Sequence, residues 1–349
     1  MTVRIAINGY GRIGRCFLRA LMGSPLRERF SVVAINEPSE LESMAYLTRF
    51  DSTHGCFPGS VEVGDGGLRI NGAEIPVFHA SAPDGVDWRA LDVDLLIEAS
   101  GRYARRDELE RFLRAGCRRL LLSHPGHSAA DVDKTVVFGH NEGLITGDER
   151  IVSAASCTTN AIVPVLALLD AAYGIDHTLM TTLHSVMNDQ PLIDGYHHAD
   201  LHRTRSAMQS MIPVATGLAR GVERLLPELA GRVETKAIRV PVVNVSAIDL
   251  VATLQRPTTV EAVNALLRTA AEGQGSGRMA YTAAPHASID FNHSPHSAIV
   301  DGGQTQMSGA HLLNLLVWFD NEWGFANRML DVAACWADRT AVAGAARTR

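Results

Sequence analysis

The chain has 349 residues, a net charge of −6, 46% hydrophobic residues and 20% charged residues. This length favours two domains that each bury a core, and the composition is typical of soluble globular proteins. The sequence has no Lys/Arg tract, and its longest apolar run, 161–169, contains a proline and is far shorter than a membrane span. We therefore expect neither nucleic acid nor a membrane as a partner.

The cysteines and the first residues predict the cellular compartment. The five cysteines are widely spaced and form no C-x-x-C pair, which argues against a disulfide framework and against a metal site. The first residues run directly into a strand-like pattern without a secretory signal. We therefore expect the cytoplasm, a reducing compartment, and no bound metal.

Strand-like and helix-like segments alternate over the first 150 residues. The helix-like segments begin near Arg12 and cover 39–50. The strand-like segments are 3–8, 30–36, 93–100, 118–124, 135–141 and 151–156. This alternation predicts a mostly parallel sheet with helices on both faces, which is an α/β domain.

From about residue 178 the pattern changes to longer strand-like runs. These runs are 177–186, 236–255, 281–292, 297–307 and 311–321. Helix-like stretches occur between or after these runs, near 208–226, 258–272 and 324–338. This order predicts an α+β domain with a mostly antiparallel sheet. We place the first domain at 1–156, joined by the C-terminal helix 324–338, and the second at 157–323.

A glycine-rich loop, INGYGRIGR, follows the first strand and opens the first helix. Its Gly9, Gly11 and Gly14 form the G-x-G-x-x-G pattern. The first glycine allows a tight turn, the second lets a pyrophosphate approach the backbone, and the third permits close packing of helix on strand. The loop therefore predicts a Rossmann domain that binds a dinucleotide.

Glu37, at the end of the second strand, indicates which dinucleotide binds. Its carboxylate is placed to accept hydrogen bonds from ribose hydroxyls and would repel a 2′-phosphate. No Arg or Lys follows until Arg49, so NAD is favoured over NADP. The alternative is a glycine-rich turn followed by an ordinary surface glutamate.

The segment ASCTTN places Cys157 between hydroxyl side chains at the predicted start of a helix. A thiol in a first turn lies near free backbone N–H groups and the positive end of the helix dipole, which predicts a lowered thiol pKa. Ser156 and Thr158 are placed to donate hydrogen bonds to an oxyanion or a phosphate. Pro164 lies inside this helix and predicts a kink or a later start. The alternative is a buried, unreactive thiol, as we expect for the other four cysteines.

A reactive thiol needs a base, and His184 is the best placed of the fourteen histidines because it ends a predicted strand near the domain junction. His293 and His296 form an H-x-x-H pair. They lie in a proline-containing loop without a third ligand, so we do not expect them to bind a metal.

Three arginines with two small residues are candidates for binding an anionic group of a substrate: Arg203, Arg205, Arg239, Thr216 and Gly217. The alternative for each arginine is a surface ion pair. A thiolate together with a nicotinamide predicts aldehyde oxidation, in which the thiolate forms a thiohemiacetal, hydride passes to NAD, and water or phosphate opens the resulting thioester.

Together these motifs resemble the glyceraldehyde-3-phosphate dehydrogenase family. The segments AINGYGRIGR, DSTHG, ASCTTN, IPVATG, RVPVVNVS and WFDNEWGFANRMLD stand in the family's order at compatible spacings, to about residue 335. The resemblance implies a Rossmann domain plus a catalytic domain, NAD, a small phosphorylated aldehyde substrate and a homotetramer. It also implies that the loop around 188–212 lies at a subunit interface.

The resemblance further implies roles for single residues. Cys157 is the implied nucleophile, His184 is its base, and Asn321 orients the nicotinamide carboxamide. The other residues implied to hold the dinucleotide are Arg12, Ile13 and Glu37, with the three loop glycines. Those implied to contact substrate are Ser156, Thr158, Arg203, Thr216, Gly217 and Arg239.

Within the family, the segments LLSHPG, HSVMNDQPLIDGYH and DFNHSPHSAIVDG resemble the branch that oxidises D-erythrose 4-phosphate more than the glycolytic branch. Met187 stands where glycolytic relatives carry a threonine that helps to hold the substrate phosphate, and nearby Asp189 disfavours an anion. The implied reaction is NAD-dependent oxidation of D-erythrose 4-phosphate to 4-phosphoerythronate, released by water, in pyridoxal 5′-phosphate biosynthesis. The enzymatic alternative is a phosphorylating glyceraldehyde-3-phosphate dehydrogenase of glycolysis. The alternative from another class is a non-catalytic NAD-binding protein.

Overall fold

The structure is a computed structural model that describes residues 2–347 except 274 and 276. The chain divides into two compact units, Met1–Ser156 with Ala326–Arg349, and Cys157–Phe325. The first unit is discontinuous, because its last segment follows the second unit in the chain.

Among the described residues, the first unit contains a nine-stranded sheet and a separate two-stranded one. The strands are β1 (Val3–Asn8), β2 (Phe30–Asn36), β3 (Phe50–Asp51), β4 (Gly55–Cys56), β5 (Val61–Gly64), β6 (Gly67–Ile70), β7 (Ala73–Phe78), β8 (Leu95–Glu98), β9 (Leu120–Leu122), β10 (Lys134–Thr135) and β11 (Ile151–Ser153). The helices are α1 (Arg12–Gly23), α2 (Leu41–Arg49) and α3 (Arg106–Arg114).

The large sheet has the strand order β10-β11-β9-β8-β1-β2-β7-β6-β5. Neighbours from β10 to β7 pair in parallel, and β7, β6 and β5 pair antiparallel. The parallel order β7-β2-β1-β8-β9-β11 is that of a Rossmann domain, whose direction of winding reverses between β1 and β8. The predicted Rossmann fold is confirmed.

Burial explains why the central strands have few polar residues. All four residues of β8 and the last four of β1 are buried, as expected for parallel strands covered on both faces. One cluster of buried side chains joins these strands to α3 and includes the fully buried Trp88 and Phe112. This core holds the strand ends in fixed positions at one edge of the sheet.

The second unit is built on a seven-stranded sheet in the described part of the chain, with the order β13-β14-β12-β15-β18-β17-β16. Its elements are α4 (Cys157–Tyr173), β12 (Ile175–His184), β13 (Ile212–Val214), α5 (Leu218–Leu225), β14 (Val233–Arg239), β15 (Ser246–Leu254), α6 (Val260–Glu272), β16 (Met279–Thr282), β17 (Ala298–Ser308) and β18 (Leu312–Phe319). The last helix is α7 (Trp323–Arg347). Within the described part of this sheet only the pairs β12–β14 and β16–β17 are parallel, so the mostly antiparallel sheet is confirmed.

Short 3₁₀ turns connect several elements: Pro25–Glu28, Pro83–Gly85, Ala129–Asp131, Glu142–Leu144, Leu201–Thr204, Pro227–Leu229 and Ser288–Phe291. None of the helices in the described ranges combines the length and the apolar character needed to cross a bilayer.

Several predicted elements differ from the structure. The strand expected at 135–141 is only the short β10, because the chain turns at Gly139. The helix expected near 208–226 is a strand, β13, followed by the shorter α5. The extended run expected at 281–292 stops after Thr282, close to a proline, and ends in a 3₁₀ turn. The hairpin strands β5, β6 and β7 were not predicted.

Candidate active site

The carboxyl ends of β1 and β8 form a crevice at the switch point of the first unit, the position where Rossmann domains bind ligands. Its wall includes Gly9, Gly11, Glu37, Ser81 and Ser100. The sequence-predicted glycine loop thus lies at the expected edge of the sheet.

Each of the three glycines of the loop meets a different structural requirement. Gly9 has φ +87°, and a Cβ on it would lie 2.3 Å from the Ser100 backbone nitrogen. A Cβ on Gly14 would lie 2.2 Å from the Gly9 carbonyl oxygen, so it allows α1 to pack on β1. Apart from its two chain neighbours, no described residue has an atom within 4 Å of a Cβ built on Gly11. The protein itself therefore leaves room beside Gly11, which fits the approach of a pyrophosphate.

The start of α1 also fits an anionic group. Gly11 is its N-cap, and α1 has neither a capping side chain nor an acidic residue in its first turn. Such a helix start presents backbone N–H groups and the positive end of the dipole. Arg12, Ile13 and Gly14 lie in this first turn. The Arg12 guanidinium pairs with Asp51 at 2.5 Å, so the groups of this first turn that fit an anion are its backbone N–H groups.

The Arg12–Asp51 pair is largely structural. Burial alone would raise the pKa of the Asp51 carboxyl, but hydrogen bonds from Arg12 and from the His54 and Thr53 backbone lower it to about 2. Glu37 is instead placed at the crevice. One carboxylate oxygen accepts a hydrogen bond from the Tyr10 N–H at 2.7 Å, and the other accepts one from the Ser39 hydroxyl at 3.2 Å.

In the second unit, Cys157 is the first residue of α4, which confirms the predicted helix start. Ala155 has φ +61°, a left-handed conformation that is rare for alanine, and it redirects the chain from β11 into this helix. The helix continues through Pro164, so the later start expected from this proline is wrong. Its neighbours Val163 and Val165 are fully buried, and their burial offsets the one lost backbone hydrogen bond.

The structure brings Cys157 and His184 together. The thiol Sγ lies 3.9 Å from His184 Nε2 and 3.8 Å from the Thr158 hydroxyl. His184 Nδ1 lies 2.8 Å from the Ser185 carbonyl oxygen, which can only accept a hydrogen bond. Nδ1 therefore carries the proton in the neutral ring, and Nε2 presents a lone pair to the thiol.

Burial sets the resting protonation states of this pair. It raises the pKa of the Cys157 thiol and lowers the pKa of His184. The expected lowering of the Cys157 pKa by the helix start is wrong for this structure, because loss of solvent outweighs the hydrogen bonds to the thiolate. At neutral pH the pair rests as thiol and neutral imidazole, so Nε2 is able to accept the thiol proton.

The two arginines expected to contact substrate both pair with one exposed carboxylate, that of Asp189. Asp189 accepts hydrogen bonds from Arg239 at 2.5 and 3.1 Å, and from Arg203 at 2.8 Å. Burial would raise the pKa of Asp189, but the bond to Arg239 and the charges of both arginines hold it below its usual value. Arg239 also lies 3.5 Å from the Met187 sulfur. Arg205 forms a separate exposed ion pair with Asp194, the alternative considered for it.

The other expected substrate contacts lie at helix starts. Thr216 accepts a hydrogen bond from the Leu218 N–H through its hydroxyl, and Gly217 is the N-cap of α5. Thr158 is the second residue of α4, and Ser156 immediately precedes Cys157 in the chain.

Asn321 is fixed by residues that the sequence patterns did not indicate. Its carbonyl oxygen accepts hydrogen bonds from the hydroxyls of Ser185 and Ser246, each at 2.9 Å. Ser246 in turn accepts one from the Ser185 N–H at 3.1 Å. These two bonds fix the orientation of the Asn321 amide group, with its oxygen as acceptor and its nitrogen as the remaining donor. Ser185 follows His184 directly, which was the one signal available for it.

Comparison with known protein families gives one match for each of the two parts of the chain. The sequence model described as glyceraldehyde 3-phosphate dehydrogenase, NAD binding domain, matches residues 3–106. The one described as glyceraldehyde 3-phosphate dehydrogenase, C-terminal domain, matches residues 156–321. Fold and matches together define an NAD-dependent oxidoreductase, and NAD as the cofactor is confirmed. The chain belongs to the glyceraldehyde 3-phosphate dehydrogenase family, whose members act on small phosphorylated aldehydes.

Proposed function

We propose that this protein oxidises D-erythrose 4-phosphate to 4-phosphoerythronate with NAD and releases the product by hydrolysis, as a step of pyridoxal 5′-phosphate biosynthesis in the cytoplasm. The observation that carries the proposal is the position of Asp189 between Arg203 and Arg239. A phosphorylating enzyme must hold inorganic phosphate beside the thioester, and a carboxylate that already pairs with both guanidiniums opposes a second anion.

In the first step, His184 Nε2 takes the proton from the Cys157 thiol, and Sγ forms a bond to the aldehyde carbon. His184 passes this proton to the new oxygen, and the product is a thiohemiacetal on Cys157 that carries a hydroxyl group. Cys157 Sγ lies 3.9 Å from His184 Nε2. Hydrogen bonds between catalytic groups are often this long without substrate and shorten when substrate binds. Thr158, whose hydroxyl lies 3.8 Å from the thiol, is placed to donate to the new oxygen.

NAD, when bound, supplies the acceptor for the hydride that leaves the thiohemiacetal carbon. The hydroxyl proton of the thiohemiacetal passes to His184, and the carbon becomes a thioester on Cys157. His184 releases this proton to solvent and, neutral again, takes a proton from a water molecule whose oxygen attacks the thioester carbon. The C–S bond breaks, Sγ recovers the proton held by His184, and the product acid loses its own proton to solvent and leaves as the carboxylate.

The exposed loop of the second unit supports the homotetramer that the resemblance implies. Several large apolar side chains on it face solvent in the single chain: Leu192, Ile193, Tyr196, Leu201 and Met211. Several large apolar side chains exposed on one loop are typical of an interface. We infer that these side chains contact other copies of the chain.

The proposal is tested by NADH formation with D-erythrose 4-phosphate and with glyceraldehyde 3-phosphate, each with and without inorganic phosphate. We expect turnover of the four-carbon substrate to be faster and independent of phosphate. The second candidate, a phosphorylating glyceraldehyde-3-phosphate dehydrogenase, is favoured by Thr216 and Gly217, which stand at the start of α5 and pair with no carboxylate in the contacts described above. Strictly phosphate-dependent turnover of the three-carbon substrate would establish it instead.

The substitution Asp189→Asn is expected to make turnover sensitive to phosphate. It keeps the shape of the side chain but removes the charge that opposes an anion at Arg203 and Arg239. We expect inorganic phosphate to accelerate the variant about threefold to tenfold and to leave the wild type unchanged. The matched control is Asp194→Asn, which removes a carboxylate paired with an arginine elsewhere in the same loop. An equal response to phosphate in the wild type and in Asp189→Asn would show that the Asp189 charge does not oppose phosphate binding.

A further inference from the structure

A buried row of polar side chains crosses the switch point of the first unit. Glu98, Asn8 and Asn36 are the last residues of the adjacent strands β8, β1 and β2, and all three are buried. Asn8 donates to Glu98 Oε2 at 2.5 Å, and Asn36 donates to Asn8 Oδ1 at 2.7 Å. The residues that directly follow these three, Gly9, Glu37 and Ala99, line the cofactor crevice, and so does Ser100, the next residue after Ala99.

The direction of each hydrogen bond in this row is determined. The Ala80 N–H, which can only donate, bonds to Asn36 Oδ1 at 2.9 Å. The Asn36 amide nitrogen must therefore donate to Asn8 Oδ1, and the Asn8 amide nitrogen must donate to Glu98 Oε2. Glu98 Oε2 is thus required to accept, and it cannot direct a proton at Asn8.

The other oxygen, Glu98 Oε1, has one partner that can reverse its role. It accepts from the Ser100 backbone N–H at 2.8 Å and from the Ser100 hydroxyl. The N–H can only donate, whereas the hydroxyl can donate or accept. A proton bound to Oε1 can therefore be donated only to the Ser100 hydroxyl oxygen among these partners. The hydroxyl hydrogen of Ser100 must then turn away from Glu98.

We propose that Glu98 is a positioning residue for the cofactor: when NAD binds, Glu98 takes up one proton on Oε1 and thereby releases the Ser100 hydroxyl to donate a hydrogen bond into the crevice. The step is a protonation from solvent, with no other bond made or broken. Two changes favour it, because the pyrophosphate brings negative charge near Gly9 and Gly11, and a bound ligand removes further solvent from the carboxyl group.

The protonation equilibrium of Glu98 lies in the range where this step is measurable. Burial, opposed by the hydrogen bonds from Ser100 and Asn8, raises the pKa of Glu98 to about 7. Below that pH the free protein already holds the proton, and NAD binds without proton uptake. Above it, binding must draw a proton from solvent, so the affinity falls as the pH rises, until the higher pKa of the complex is passed.

Other charged and titratable groups lie on the elements around Glu98, and their titration must be distinguished from that of Glu98. Glu37 follows β2, Arg12 begins α1, Arg102 and Tyr103 lie in the loop after β8, and His124 follows β9. Glu98 contributes to the raised pKa of Tyr103, which is far above neutral. His124 has its pKa lowered by burial, so it stays neutral over the range in which Glu98 titrates.

The test is calorimetry of NAD binding in two buffers of different ionisation enthalpy, which counts the protons taken up. For the wild type we expect net uptake approaching one proton above about pH 7, and an affinity about threefold to tenfold weaker at about pH 8.5 than at about pH 6. Difference infrared spectra on NAD binding should show a new carboxyl C=O band. Absence of both signals would overturn the proposal, without reference to any substrate.

Variants assign the proton to Glu98. In Glu98→Gln we expect no proton uptake and an affinity that does not change with pH. The matched control is Glu149→Gln, because Glu149 is a buried carboxylate that also accepts from one hydroxyl and two backbone N–H groups, those of Thr146 and Gly147. Uptake that persists in Glu98→Gln would overturn the assignment.

A second variant keeps the proposal testable if Glu98→Gln does not fold. Ser100→Ala leaves the carboxylate and its backbone N–H donor but removes the reversible hydroxyl. We expect it to lose the gain in NAD affinity at low pH. Full wild-type affinity at about pH 6 in Ser100→Ala would contradict the role given to the hydroxyl.

Discussion

Replacing Cys157 with serine is expected to lower kcat for aldehyde oxidation by at least about 10³-fold, because a serine hydroxyl beside His184 is a far weaker nucleophile than a thiol and forms no thioester. Cys157→Ser should still bind NAD, since the crevice residues are untouched. The measurement is the NADH burst in a single turnover, with NAD binding followed separately.

The protein contains its own control for this substitution. Cys56 is an exposed thiol on β4, so Cys56→Ser removes the thiol that solvent reaches most easily. We expect the Cys56→Ser variant to keep the wild-type burst. We also expect iodoacetamide to abolish the burst by alkylating Cys157, more rapidly at higher pH because burial raises the pKa of this thiol. A normal burst in Cys157→Ser would refute the covalent pathway.

Substituting His184 by asparagine is expected to slow formation of the acyl-enzyme by about 10²- to 10⁴-fold, since the general base is lost. The wild-type rate should fall only as the pH drops below the pKa of His184, which burial lowers, because the imidazole accepts a proton only when it is neutral. In His184→Asn the rate should instead rise with pH until the Cys157 thiol itself ionises. Burst rates measured from about pH 5.5 to pH 10 compare the two profiles.

His177 provides the matched control, because it lies on the same strand, β12, and is exposed. His177→Asn should keep both the rate and the pH profile of the wild type. An unchanged pH profile in His184→Asn would show that His184 is not the base, even if the rate were lower.

The parts of the site that follow from local sequence could be predicted. Gly9 is required by its left-handed backbone conformation and Gly14 by its close approach to the Gly9 carbonyl, and Cys157 opens a helix that its own neighbours encode. The hydrophobic patterns of β1, β2 and β12 were long enough to predict strands. These features depend on interactions over short distances along the chain, which are the ones a pattern contains.

The parts that depend on distant residues could not be predicted. The bond between Asn321 and Ser185 joins residues 136 positions apart, and the bond between Glu98 and Asn8 joins residues 90 positions apart. Met187 and Asp189 indicated an altered anion site, but no spacing showed that one carboxylate would pair with both Arg203 and Arg239. The sign of the Cys157 pKa shift also depends on burial, which the helix start alone does not determine.

The discontinuity of the first unit has a consequence for its synthesis. The ion pair between Arg29 and Asp338 joins residues 309 positions apart, and residues from Ala326 onward belong to the same compact unit as β1. A ribosome releases all of Cys157–Phe325 before it releases this closing segment. The second unit is therefore the first that can be completed on the growing chain, while the nucleotide-binding unit, begun first, is finished last and exposes its unfilled core for the longest time.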